Sequence, residues 1–132
     1  MRYKMRGGYC LKRRMPEDAL QIAFAQWLDE QGIMYNASCA GMRTHIKIAV
    51  KMKAMGAKKG FPDIFIYETT RKYHGLALEL KSKTGTPSEE QKQWRDCLNY
   101  KGYFAAIMPS GLDHDEGLAW LKKTVNDYLG IK

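Results

Sequence analysis

The run Leu76-Ala77-Leu78-Glu79-Leu80-Lys81 constrains this chain more than any other stretch. It has the alternation of a β-strand, in which successive side chains point to opposite faces. The three leucines share one face, which must lie against a core. Glu79 and Lys81 share the other, so a carboxylate and an ammonium project together from an otherwise apolar run. Upstream, separated from Glu79 by fifteen residues, Gly60-Phe61-Pro62-Asp63 places a second carboxylate at the head of Ile64-Phe65-Ile66-Tyr67. Proline biases the residue before it toward extended backbone, which stiffens the approach to that strand. The short link Thr69–His74 between apolar runs at about 63–68 and 75–82 predicts a hairpin. Asp63 and Glu79 then fall at adjoining strand ends. Alone, Pro-Asp reads as a turn, and Glu-x-Lys reads as an ion pair on an exposed edge strand. Together they suit one chemistry: two carboxylates hold a hard divalent cation, and the lysine manages charge around an attacking water. A cation also offsets the cost of burying Glu79 among leucines, where an unpaired carboxylate tends to protonate.

The remaining elements follow from periodicity and caps. Pro16–Gln31 predicts a first helix, with Glu17 and Asp18 at the positive end of its dipole and Gly32 as its stop. Leu20, Phe24, Trp27 and Leu28 form its apolar stripe. Glu17 and Gln21 head the inward face that continues through Phe24 and Leu28. Ile33–Ala37 reads as a short strand. Thr44–Met55 reads as a helix on which Arg43, Lys47 and Lys51 repeat every four residues. Pro87 is expected at the first position of a third helix, which carries Gln91, Trp94 and Leu98 on one face and ends at Gly102. Tyr103–Met108 is strand-like. A last helix from Glu116 to Leu129 buries Leu118, Leu121, Val125 and Leu129. The expected architecture is α/β, a central mixed sheet flanked by helices.

The ordered blocks resemble the VRR-NUC domains of the PD-(D/E)XK nuclease superfamily. They are Glu17 with Leu20-Gln21, the run from Met55 to Asp63, Glu79-Leu80-Lys81, and Ser88-Glu89-Glu90-Gln91 followed by Trp94 and Gly102-Tyr103. The resemblance spans roughly residues 16–129 and implies a restriction-endonuclease-like core. It implies that Asp63, Glu79, Glu17 and the Leu80 carbonyl hold Mg²⁺ or Mn²⁺, with Lys81 assisting attack on a phosphodiester. Gln91 is expected beside this site as a hydrogen-bonding group. The resemblance further implies a stand-alone virus- or bacterium-type endonuclease that acts as a homodimer on branched DNA, including four-way junctions. Rival readings are a nuclease for flaps or other DNA, and a nucleic-acid-binding domain without catalysis.

Composition agrees with a polyanionic partner. The 132 residues carry 22 basic and 14 acidic side chains, a net charge of +8. Arg43, Lys47, Lys51, Lys58 and Lys59 cluster ahead of Asp63 and are placed to bind DNA phosphates. Residues 1–15 are expected to form a basic arm, and residues 16–132 a single nuclease domain. Cys10, Cys39 and Cys97 have no metal-ligand spacing and read as reduced thiols packed in the core of a cytoplasmic protein, or of the host cytoplasm if viral. No apolar stretch nears the roughly 18 residues a membrane span needs, and the N-terminus shows no signal-peptide hydrophobic segment. GxxxxGK[ST] is absent, and His45, His74 and His114 lack zinc spacing.

Overall fold

A computed structural model describes residues 16–38 and 45–131, without the side chains of Pro16 and Glu17. The elements run α1 (Pro16–Glu30), β1 (Tyr35–Ala37), α2 (Ile46–Ala54), β2 (Ile64–Ile66), β3 (Leu76–Glu79), α3 (Glu89–Tyr100), β4 (Phe104–Ile107) and α4 (His114–Leu129). The strands form one sheet in the order β1-β2-β3-β4. β2 pairs with both β1 and β3 antiparallel, so the expected hairpin is present. β4 lies parallel to β3, and a parallel pair requires a crossover, here α3. The fold is therefore the mixed sheet flanked by helices that the sequence predicts.

Strand alternation divides the core into two layers. On one face Ile64, Ile66, Leu76, Leu78 and Leu80 pack against Leu20, Phe24 and Leu28 of α1 and Leu121 and Val125 of α4. On the other, Ala77 and Ala105 pack against Leu98 of α3, with Phe65, Trp94 and Tyr103 alongside. The two faces thus serve different purposes. The leucine face carries most of the buried apolar area and hence most of the hydrophobic stabilisation. On the α3 face the alanines at Ala77 and Ala105 leave room for the helix to approach the central strands.

Three expectations are corrected. Pro87 is not the first residue of α3. Ser88 is the N-cap, its hydroxyl accepting from Gln91 N–H while the Gln91 side chain accepts from Ser88 N–H, a reciprocal capping box. This box satisfies two helix-end groups at once, which a first-turn proline cannot do. Cys97 is a free thiol but is exposed, not packed in the core, because it lies on the solvent side of α3; Cys10 and Cys39 lie outside the described residues. In α4, Leu118 and Leu129 are only partly buried, and the buried positions are Gly117, Leu121 and Val125. The basic arm expected for residues 1–15 also lies outside the described residues. No described helix is long and apolar enough to cross a membrane.

A candidate two-carboxylate site organised by α3

The register of the hairpin brings the acidic residues together. Ile64 pairs with Leu78, so Asp63, one residue before β2, stands across from Glu79 at the end of β3. Directly opposed residues of an antiparallel pair put their side chains on the same face. A hydrogen bond closes the juncture: Leu80 N–H donates to Asp63 Oδ2 at 2.8 Å. Asp63 is also fixed through its backbone, since its carbonyl accepts from Ser38 N–H at 2.8 Å. Glu79 is 6% exposed and Lys81 8%. That burial removes the exposed-edge reading of this pair: β3 is an interior strand, and both residues face α3.

Gln91 joins the two charges. Its Nε2 donates to Glu79 Oε1 at 2.5 Å, and its Oε1 accepts from Lys81 Nζ at 2.7 Å. Lys81 Nζ lies 3.9 Å from Glu79 Oε1, farther than from the amide. Lys81 is therefore more than the salt-bridge partner of Glu79. Gln91, the third residue of α3, thus lies within hydrogen-bonding distance of both Glu79 and Lys81.

The first turns of α3 also hold the loop that delivers Asp63. Trp94 Nε1 donates to the Lys59 carbonyl at 3.1 Å. Phe61 meets Trp94 edge-on with ring centroids 5.0 Å apart. Lys59 Nζ lies 3.6 Å from Glu90 Oε1. The Glu90 backbone N–H, and after it the Lys59 ammonium, hold that carboxyl below the usual glutamate range. In the sequence Ser88 and Glu90 stand only as parts of a block, and Trp94 also as a member of one helix face with Gln91 and Leu98. The Ser-x-x-Gln spacing was the available signal for the cap. Nothing in the sequence marked the docking of Lys59 on α3.

The other expected residues are placed as follows. Leu80 follows β3, 2% exposed, beside Asp63. Glu17 lies in the first turn of α1, and its side chain is outside the described set. Arg43 is outside it altogether. Lys47 and Lys51 sit one turn apart on exposed α2, and Lys58 and Lys59 are exposed in the loop before Asp63. No group of three or more His, Cys, Asp or Glu side chains suited to a metal occurs among the described residues. The described acidic donors are thus Asp63 and Glu79. Two carboxylates beside backbone oxygen is a donor set of the kind Mg²⁺ takes, since that ion keeps several waters and needs only one or two carboxylates. A cavity of about 600 Å³, lined in part by Tyr73, Phe104, Trp120 and Tyr128, opens at the opposite end of the sheet, away from this chemistry.

Comparison with known proteins accords with this geometry. One solved structure, a VRR-NUC domain protein, is 24% identical with a TM-score of 0.65, covering 86% of this chain and 91% of that one; at this identity the likeness concerns the fold. No curated protein matches the chain. The family model of the VRR-NUC domain matches residues 11–111, which include Asp63, Glu79, Lys81 and Gln91, and the chain belongs to this nuclease-type, DNA-binding family.

Proposed function

We propose that this protein is an Mg²⁺- or Mn²⁺-dependent endonuclease that hydrolyses DNA phosphodiester bonds in branched substrates as a homodimer. The observation carrying this reading is the convergence of Asp63, Glu79 and Lys81 at one end of the sheet. Asp63, Glu79, the Leu80 carbonyl and Glu17 are the residues that would hold the ion. When bound, the ion supplies a Lewis acid for the phosphate and lowers the pKa of water. The chain's own residues do the rest. Asp63 and Glu79 supply negative charge, Asp63 half-buried and bonded to Leu80 N–H, Glu79 buried against α3. Lys81, held by Gln91, offers positive charge against the developing charge of the phosphorane. Lys47, Lys51, Lys58 and Lys59 bind the flanking phosphates.

The homodimer reading has support in α2. This nine-residue helix buries none of its residues, and Ile46, Ile48, Val50 and Met55 are 52–77% exposed around it. Helices shorter than about 12 residues are marginal in water without packing. A second copy of the chain covering α2 would supply that packing. It would also set two sites around a two-fold axis, as symmetric cleavage of a junction requires.

Purified protein with Mg²⁺ or Mn²⁺ is expected to cut four-way junctions in preference to flap, splayed and linear DNA of matched sequence. Sedimentation is expected to give about twice the 15.2 kDa chain mass. A monomer that cuts linear duplex equally well would leave the phosphodiester chemistry and remove the junction and dimer assignments. Preferential cutting of flaps would redirect the substrate class. Binding without cutting under every metal condition would support the non-catalytic reading.

Salt provides a separate check on the basic residues. DNA affinity is expected to fall steeply with salt, and Lys47→Ala or Lys51→Ala to reduce the log–log slope by about one. Glu90→Gln should act in the opposite sense. It frees Lys59 from its ion pair and is expected to tighten binding at low salt. A flat salt response would show that the charge of +8 is not a DNA footprint.

A further inference from the structure

The two ends of the Gln91 amide meet different chemistry. Its oxygen faces Ser88 N–H at 2.9 Å and Lys81 Nζ at 2.7 Å. A backbone N–H and an ammonium are donors only. Its nitrogen faces Glu79 Oε1 at 2.5 Å, where a carboxylate oxygen accepts. A flipped amide would set NH₂ against both donors and its oxygen against a carboxylate. The orientation is therefore dictated by the partners, independently of which atom is drawn as nitrogen. The Ser88 N–H that selects it belongs to the cap of α3, so helix capping and amide orientation are one arrangement.

We infer that Gln91 is a positioning residue whose one-way amide keeps Lys81 and Glu79 from collapsing into a direct ion pair. The inference rests on the nuclease reading of Asp63, Glu79 and Lys81. The side chains of Glu79 and Lys81 are each 8% exposed, and so little solvent strengthens their mutual attraction. Among the described residues the Gln91 amide bonds to both groups, which stay 3.9 Å apart, against about 2.8 Å for a charge-assisted contact. Collapse would pair the carboxylate charge needed toward the cation with the ammonium charge needed at the phosphate. Gln91 prevents this by giving each charge its own hydrogen bond to a neutral amide. Glutamate cannot replace it. A second carboxylate would still accept from Ser88 N–H and Lys81, but would present an oxygen to Glu79 in place of the amide donor.

Gln91→Ala and Gln91→Glu separate this role from a structural one. Mn²⁺ binding is measured by calorimetry on the DNA-free protein, alongside thermal stability and the split of kcat from KM on DNA. Gln91→Glu keeps the acceptor for the Ser88 cap, so any fall in its melting temperature reports the carboxylate set against Glu79, and binding and kcat are read where both variants are folded. Both variants should bind Mn²⁺ about 10- to 100-fold more weakly and lose kcat by a similar factor, with KM for DNA unchanged. A crystal structure of Gln91→Ala should show Lys81 Nζ in direct contact with a Glu79 oxygen. Parent-like Mn²⁺ affinity and kcat in folded Gln91→Glu would overturn the inference. The nuclease reading fails separately, if Asp63→Ala too retains parental cleavage.

Discussion

Asp63→Ala and Glu79→Ala proteins are expected to bind DNA as tightly as the parent chain without metal and to leave it uncut. Both carboxylates lie at one strand juncture, and the proposed cation depends on both. Metal-assisted charge stabilisation is worth several kcal/mol, and each 1.36 kcal/mol is a factor of ten, so turnover should fall by about 10³ or more. Affinity should persist because exposed Lys47, Lys51 and Lys58, rather than the carboxylates, are the proposed phosphate contacts. Asp63→Ala has a second consequence, since Asp63 Oδ2 accepts from Leu80 N–H. Leaving that donor without its acceptor costs about 1–3 kcal/mol of stability. Asp63→Asn is the control: its amide oxygen can still accept from Leu80 while the charge is gone. Asp63→Asn should therefore melt near the parent temperature and remain inactive. Near-parental cleavage in folded Asp63→Ala and Glu79→Ala would remove the site assignment, whatever the binding result.

Gly60→Ala is expected to damage both stability and cleavage, although Gly60 bears no functional group. Its φ is +83°, and a Cβ there would lie 2.7 Å from the carbonyl carbon and Cβ of Glu90 and 2.8 Å from Gln91 N. The obstruction is the backbone of α3's first turn, which cannot swing aside as a side chain can. Left-handed strain adds about 1–2 kcal/mol for a residue with a Cβ. The combined loss should be about 3 kcal/mol, read as a lowered denaturant midpoint at constant slope. Relief requires moving α3 from the loop, which carries Gln91 away from Glu79 and Lys81, so cleavage should fall at least about tenfold at temperatures where the protein is folded. Gly56→Ala is the matched comparison, with φ +106° but nothing within 4 Å of the added carbon. It should show the backbone strain alone and keep most of its activity. Equal effects at the two positions would mean that the approach of α3 to Gly60 has no part in the site.

Much of this arrangement was legible in the sequence because it rests on local rules. Alternation from Leu76 to Lys81 separates leucine from charge, and the structure keeps that division across two core layers. The short link before β3 fixed the hairpin, and with it the opposition of Asp63 and Glu79. The helix stripes located Leu20, Phe24 and Leu28 in the core. What remained hidden depends on long-range placement. Glu79 and Lys81 are buried because α3 crosses over them, and strand alternation alone cannot tell a covered polar face from a wet one. Pro87 and Ser88 compete for the start of α3, and only the reciprocal bonds of the cap decide between them. Lys59 docks on a helix some 30 residues downstream, a contact with no local signature.

The crossover between β3 and β4 makes the setting of Glu79 and Lys81 depend on a later part of the chain. Glu79 and Lys81 precede Gln91 by twelve and ten residues, and the amide that bonds to both arrives only with α3. That helix in turn is held by β4, whose Ala105 exchanges hydrogen bonds with the Asn99 side chain at 2.8 and 3.1 Å. Under the proposed nuclease reading, a chain in which α3 has come away would keep Asp63, Glu79 and Lys81 but lose the amide that bonds two of them. Competence to cut would then belong to the completed tertiary structure, and loosening of one helix would disarm the site while the leucine core stayed packed.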